Sequence, residues 1–312
     1  EAKVDYVVMV VSSHSLSLDR IYGVKFDYCL FSNLGRDHLD FHQTLENYGK
    51  AKMSFFEQGA KDGSISVINT ADAFGVQIKD MLKEKQAKVY SLGGNDAEFQ
   101  YLDIKTDINT SSFKLIAENC EIPVTSRLIG SFNIQNLGLT ALTLYALGFS
   151  PEAIHNSLKD IPPVQGRLER VENNFNIGIF IDYAHTPEAI DNVLKAVEDL
   201  PHKRILCLIG AGGDRDKGKR PLMLKSALNH SDVVIISDDN PRSENPERII
   251  KDIVSSSDIF LPWWIIRNRQ QAIFSIIRLA QEEDIVLICG KASEDYQEIE
   301  GVHHHFNDCE ET

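Results

Sequence analysis

The sequence is short of cysteine, short of positive charge and free of long apolar runs, and each shortage removes a class of function. Its five cysteines (Cys29, Cys120, Cys207, Cys289 and Cys309) are scattered without CxxC spacing. Cys29, Cys207 and Cys289 lie inside apolar strand-like runs and read as small core residues. That usage suits a reducing compartment better than a disulfide framework, so a cytoplasmic protein is expected. With 32 Lys and Arg against 46 Asp and Glu, the formal net charge is −14. Such a balance argues against nucleic acid or a membrane surface as partner, while leaving room for a local basic pocket that takes a small anion. No apolar stretch approaches the roughly 18 to 20 residues of a membrane helix, and no signal peptide opens the chain. The first residues, EAKVDYVVMVV, include no initiator Met, and a missing N-terminal part is expected.

What is present is a 312-residue globular chain, 43% hydrophobic, with room for two domains. Two continuous apolar runs, Val4 to Val11 and Phe26 to Ser32, suit parallel strands buried on both faces. TLENYGKAKMSFFEQG reads as a helix with Thr44 as N-cap and Gly59 as its stop, and it places Lys52 on a largely apolar face. SISVIN, ADAFGVQIKDMLKEK and KVYSL then predict strand, helix and strand. Alternating residues from Glu98 to Leu128 predict antiparallel hairpins. Two helices follow, Ser131 to Leu147 and Pro151 to Lys159. The stretch IPPVQGRLERV breaks the helical pattern, and the boundary is placed there, giving domains 1–163 and 164–312.

The second half repeats strand, loop and helix four times, which implies an α/β domain with an open parallel sheet. Pro187, Pro221 and Pro246 fall in first helical turns, with Thr186 and Asn245 as N-caps. Each post-strand loop carries functional groups: Asp182 and His185; Asp214, Arg215, Asp216 and Arg220; Asp238, Asp239, Asn240 and Arg242; Lys291 and Glu294. Any one of these loops is adequately explained as a polar turn. Four of them on one sheet edge, where open α/β sheets bind ligands, point to a site for a small polar molecule.

In chain order, VSSHSL, FSNLGRDHLDFH, YGKAK, GSFNIQN, QGRLE, DYAHTPEAI, GAGGDRDKGKRPLM, SDDNPRSENPERII and GKASEDYQ resemble the Mur ligase family, from about Val7 to Gln297. The resemblance is nearest to the members that add meso-diaminopimelate to UDP-N-acetylmuramoyl-L-Ala-D-Glu in peptidoglycan synthesis. It implies the later part of a central P-loop-type ATPase domain followed by nearly all of a Rossmann-like C-terminal domain. It also implies ATP and Mg2+ as cofactors and an acyl phosphate intermediate, and we expect a monomer. No GxxGK(T/S) phosphate loop occurs in the sequence: GKAK, GKR and GKAS lack the glycine-rich turn. The 312-residue chain alone is therefore expected not to bind ATP competently.

By the same resemblance, Lys52 matches a lysine carried as a carbamate, an anionic oxygen ligand for Mg2+, and His38 matches a position that helps hold a metal. As isolated residues they read equally well as a snorkelling lysine and a hydrogen-bonded loop histidine. Ser12 and Arg20 match contacts to the UDP-muramoyl substrate. Arg167, Asp182 and His185 match residues near the nucleotide; a hinge salt bridge is an equal alternative for Arg167. Arg215, Asp239, Asn240, Pro241, Arg242, Gly290 and Glu294 match the diaminopimelate pocket. There a guanidinium fork suits the distal carboxylate of the amino acid and a glutamate suits its distal ammonium.

The sequence departs from the family pattern in places. Val10 stands where a metal-binding glutamate is usual, Leu18 where a glutamine is common, and Ala292 and Ser293 replace Gly and His of GKGHE. Two alternatives stay open: a catalytically impaired homologue kept as a binding or scaffold protein, and a lysine-adding ligase. His303, His304 and His305 read as surface, and Trp263 and Trp264 as strand-end packing.

Overall fold

The structure is a computed structural model and describes residues 3–35, 38–255 and 263–312. The chain divides into two compact units, one of Glu1–Lys105, Ser112–Thr125 and Ile134–Lys159, the other of Thr106–Ser111, Ser126–Asn133 and Asp160–Thr312.

The first unit begins with a short helix α1 (Ser13–Ser17), strand β1 (Phe26–Phe31), a one-turn helix α2 (Leu39–His42) and helix α3 (Leu45–Ser54). Thr44 caps α3 as expected, accepting from the Asn47 N–H at 3.1 Å. The helix then widens into a π turn, Phe55–Gly59, that buries both Phe55 and Phe56. Strand β2 (Ala60–Asn69), helix α4 (Ala73–Glu84) and strand β3 (Lys88–Leu92) complete a parallel sheet of order β1-β2-β3. Its core joins Cys29, Phe31, Ile68, Ile78 and Leu82 to the two phenylalanines.

A second three-stranded sheet, of order β4-β5-β6, holds β4 (Gln100–Thr106), β5 (Ser111–Ala117) and β6 (Cys120–Ser126). Connections this short permit only antiparallel pairing, as the alternating pattern predicts. Helices α5 (Ser131–Ala146) and α6 (Pro151–Lys159) follow.

One expected strand is not there. Residues 3–11 lie outside every sheet among the described residues, with Val8 96% and Val10 92% exposed. An apolar run marks a segment that tolerates burial, but a strand also needs a ladder neighbour. The described sheet ends at β1, and residues 3–11 do not pair with that edge.

In the second unit, the parallel sheet uses β8 (Gly178–Asp182), β9 (Ile205–Ala211), β10 (Val233–Asp238), β11 (Trp263–Ile265) and β12 (Ile285–Cys289), with β7 (Glu169–Val171) antiparallel at one edge. The order is β11-β10-β9-β12-β8-β7. Alternate residues build two cores. Phe180, Cys207, Ile209, Val234, Ile236 and Leu287 pack with helices α7 (Pro187–Glu198), α8 (Lys219–His230) and α9 (Pro246–Val254). Ile179, Ile181, Leu208, Ile235 and Ile288 pack with α10 (Arg269–Leu279). Covering on both faces explains why these strands are continuously apolar.

Thr186 and Asn245 cap α7 and α9 as predicted, each followed by its proline. A hairpin of β13 (Tyr296–Ile299) and β14 (Val302–His305) was not legible beforehand. It turns at Glu300 and Gly301, both with positive φ (50° and 77°), as a tight hairpin turn requires. Behind it, Asp308 accepts from Arg269 Nε and Nη2 at 2.7 Å each, and both side chains are fully buried.

Candidate functional site

Strands β10, β9, β12 and β8 are neighbours and parallel, so the loops after them leave from one edge of the sheet. The four polar loops of the sequence therefore do converge. Where strand register ends, close approach is built in. A Cβ on Gly213 would stand 1.9 Å from the Pro241 carbonyl oxygen, and one on Gly290 3.0 Å from Asp239 Oδ2, with the Gly290 φ at 120°. Only glycine lets these loops lie flush at such a backbone angle.

The centre of the cluster is Asn240. Its Nδ2 donates to Glu294 Oε2 at 2.7 Å, while its Oδ1 accepts from Lys291 Nζ and from the Glu298 N–H at 2.9 Å each. Lys291 is fully buried, 3.3 Å from Glu294 Oε2 and 3.9 Å from Asp239 Oδ1. The Tyr183 hydroxyl stands 3.5 Å from Glu294 Oε1. Burial first, and then the negative charges of Glu294 and Asp239, hold that hydroxyl above the usual phenol range, so it stays protonated as a donor.

Arg242 occupies a left-handed backbone position (φ 52°) and threads its guanidinium between two loops. Nη1 donates to the Gly213 carbonyl at 2.8 Å, and Nε lies 3.3 Å from Glu298 Oε2. The hairpin clasps the same residue through its backbone, Arg242 N to Glu298 O at 3.0 Å and Glu300 N to Arg242 O at 2.8 Å. A non-glycine residue held left-handed is an uncommon conformation that its surroundings must enforce. Arg215 sits in the exposed loop after β9, its Nη1 3.3 Å from the Asp214 carbonyl. Below that loop, buried Arg220 pairs with Glu244 (2.8 Å) and Asp252 (2.7 Å). Arg220 is the first cause that holds the Glu244 carboxyl down to about 2.

At the end of β8, the Asp182 carboxylate is buried and accepts from the Leu168 N–H at 2.7 Å and the Ala184 N–H at 2.9 Å. Burial raises its pKa, opposed by those two amides and by Arg167. Its geometry therefore fastens the loop carrying exposed Arg167, whose guanidinium lies 5.5 Å from the Tyr183 ring centroid. His185 Nδ1 pairs with the Tyr183 carbonyl at 2.8 Å, and the His185 carbonyl accepts from Lys219 Nζ at 2.9 Å. Burial lowers the pKa of Lys219. Lys219, in DKGKR, was not among the residues singled out from the sequence.

Ala292 also holds a left-handed backbone (φ 49°), the conformation the usual glycine takes most easily, with its methyl fully buried. The turn survives the replacement: the Glu294 N–H still donates to the Lys291 carbonyl at 3.0 Å.

In the first unit, His38 and Lys52 face one ring. Lys52 Nζ lies 5.1 Å from the Tyr48 centroid, and the His38 ring centroid 5.8 Å from it. His14, Phe41 and His42 stack around them. Ser12 is spent as the N-cap of α1, accepting from the Ser15 N–H at 3.1 Å, and Arg20 is exposed beyond it. An imidazole and an ammonium offer no anionic oxygen, so these two donors as they stand do not suit Mg2+. Among the described residues no group of three or more His, Cys, Asp or Glu could hold a metal ion. The adjacent Arg36 and Asp37 of the RDHLD motif lie outside the described residues.

Family comparison accounts for both units. Residues 1–144 match the Mur ligase middle domain and residues 166–292 the Mur ligase glutamate ligase domain. The chain belongs to the Mur ligase family. It is 39% identical over 308 residues to the UDP-N-acetylmuramoyl-L-alanyl-D-glutamate–2,6-diaminopimelate ligase of Synechocystis sp., covering 98% of this chain and 61% of that protein. It is 38% identical to the ligase of the same name from Aquifex aeolicus, covering 97% and 61%. A solved diaminopimelate ligase structure superposes with a TM-score of 0.73 at 34% identity, over 96% of this chain and 62% of that one. A folylpolyglutamate synthase from Thermotoga maritima, 19% identical with a TM-score of 0.63, shares the fold. The chain thus spans about three fifths of the length of the Mur ligases it matches. No helix among the described residues is long and apolar enough to cross a membrane.

Proposed function

We propose that this chain is the amino-acid-receiving part of a ligase that adds meso-diaminopimelate to UDP-N-acetylmuramoyl-L-Ala-D-Glu. The observation that carries the reading is the pairing of opposite recognition groups on one sheet edge. Glu294, held by Asn240, offers an acceptor for an ammonium, and Arg242 and Arg215, on loops of the same sheet edge, supply guanidinium donors for a carboxylate. Diaminopimelate has both groups at its distal end. Lysine lacks the distal carboxylate, so the arginine disfavours a lysine-adding ligase.

In the proposed reaction the γ-phosphoryl group of ATP passes to the D-Glu carboxylate and ADP leaves. The amine of diaminopimelate then attacks the acyl carbon, the C–N bond forms, and phosphate departs. Arg167, Asp182 and His185 would border the nucleotide, and Ser12 and Arg20 the UDP-muramoyl substrate. Carbamylation of Lys52 would convert its ammonium into an anionic oxygen donor, and with that change Lys52 and His38 would hold Mg2+, which neutralises phosphate charge when bound.

The test is phosphate release by the full-length protein. Release should require ATP, the UDP-linked dipeptide and diaminopimelate together, with lysine a poor replacement. A folded protein that releases none, yet binds diaminopimelate, would instead be a binding homologue, as Val10 at the usual glutamate position would favour.

A further inference from the structure

The two carboxylate oxygens of Glu294 have different surroundings. Oε2 accepts from Asn240 Nδ2 at 2.7 Å and lies 3.3 Å from Lys291 Nζ, whereas Oε1 has the Tyr183 hydroxyl at 3.5 Å. The Lys291 side chain is 0% exposed, and its ammonium lies 5.6 Å from the Tyr296 ring centroid. A buried ammonium must be paired and hydrogen-bonded to be tolerated. Here it has Asn240 Oδ1 at 2.9 Å, Glu294 at 3.3 Å and Asp239 at 3.9 Å. The Glu298 N–H donates to the same Asn240 oxygen. Two donors on Oδ1 fix the orientation of the amide, so its NH2 must turn to Glu294.

We propose that Lys291 is a positioning residue of the amino-acid pocket: it locks Asn240 to Oε2 of Glu294, so that Glu294 meets its ligand through Oε1 alone, beside the Tyr183 hydroxyl. This rests on the reading of Glu294 as receiver of a diaminopimelate ammonium. Lys291 also offsets one of the two carboxylates, Asp239 and Glu294. That end of the pocket is left with one net negative charge, matched to one ammonium group. Without Lys291, one of the two donors on Asn240 Oδ1 and the charged partner of Glu294 are lost together, and the carboxylate turns to solvent or to a second orientation.

Two measurements test this. Crystal structures of the wild-type chain and of Lys291→Met are compared first. The variant should lose the contact between Asn240 Nδ2 and Glu294 Oε2, the separation passing about 3.5 Å. A carboxylate unmoved from its wild-type place overturns the proposal. Should Lys291→Met fail to fold by thermal melting, Lys291→Gln is read in its place, since it keeps a donor and loses only charge and reach.

The second measurement is calorimetric titration of the full-length protein with meso-diaminopimelate. Lys291→Met should weaken binding roughly ten-fold or more, on the scale of a lost charged hydrogen bond. Glu294→Gln should do the same, and the double variant should bind no worse than Glu294→Gln alone, because Lys291 acts through Glu294. Losses that multiply in the double variant overturn the proposal, since a general structural role would act independently. If the wild-type protein takes no diaminopimelate, the ligand assignment fails, and the crystallographic comparison alone decides the role of Lys291.

Discussion

The two units hold their candidate residues in opposite ways. In the second, Asp239, Asn240, Arg242, Lys291 and Glu294 are joined by hydrogen bonds and ion pairs across three loops of one sheet edge. In the first, Lys52 and His38 both lie against the Tyr48 ring, and Ser12 and Arg20 lie in a segment whose polar groups serve a short helix. The second unit carries a pocket whose geometry is set by its own chain. The first carries donors whose chemistry waits on a modification or a ligand. Preorganisation of this kind, rather than the number of polar residues, separates a recognition site from a set of matched positions.

The largest test of that contrast is Asp308→Ala. It leaves buried Arg269 without its carboxylate, and loss of one partner of a buried pair costs about 3–5 kcal/mol. The melting temperature should drop, and hydrogen exchange should quicken around α10 and β12 while residues 13–92 keep their protection. Equal loss of protection in both units would show one cooperative transition and break the comparison. Next, Arg242→Ala should weaken diaminopimelate binding by about 1.5–3 kcal/mol, the range for a charged hydrogen bond. Calorimetry should find ATP binding by the full-length protein unchanged; equal loss of both would contradict the assigned role.

Acid stability follows from Glu244, whose folded carboxyl is held at about 2 against an ordinary 4.5. A depressed folded pKa contributes stability that is complete above the unfolded value and is lost as pH falls through the folded one. Denaturant midpoints should therefore decline between pH 4.5 and about 2, and Glu244→Gln should flatten that part of the profile. The smallest effect is expected in the first unit. Thr44→Ala removes the cap of the helix that carries Lys52 and should cost about 1 kcal/mol in urea melts. The same protein, grown with 13C-bicarbonate, should show a carbamate carbon that disappears in Lys52→Ala; its absence from the wild type would leave Lys52 an ordinary lysine.

Much of the second unit was legible because its signals are local. Thr186 and Asn245 cap helices from positions next to their prolines, and the apolar strands end where the polar loops start. What the pocket owes to Glu298 was not legible. Its hairpin turns on Glu300–Gly301, a weaker cue than Asn-Gly, and its contact with Arg242 spans 56 residues that no local pattern relates. Lys291 was visible as a charged loop residue, but charge in a loop ordinarily means exposure, and only packing against Tyr296 and Asn240 reveals its burial. Residues 3–11 failed in the opposite direction. Val7, Val8 and Val10 supply the composition of a strand, while pairing depends on a neighbour that composition does not specify.

The clasp on Arg242 has a consequence for synthesis. Units of a chain fold as they emerge, N-terminal parts first. A nascent chain that has passed Arg242 can pair β9 with β10, but β8 joins them only through β12, and Arg242 gains its Glu298 partner later still. During that interval the sheet edge displays an unclamped guanidinium and an Asn240 whose amide nothing has yet turned. The pocket is thus finished well after its first strand pair, together with the sheet itself, and a chain stalled between these two points would hold β9 and β10 without the selectivity they carry.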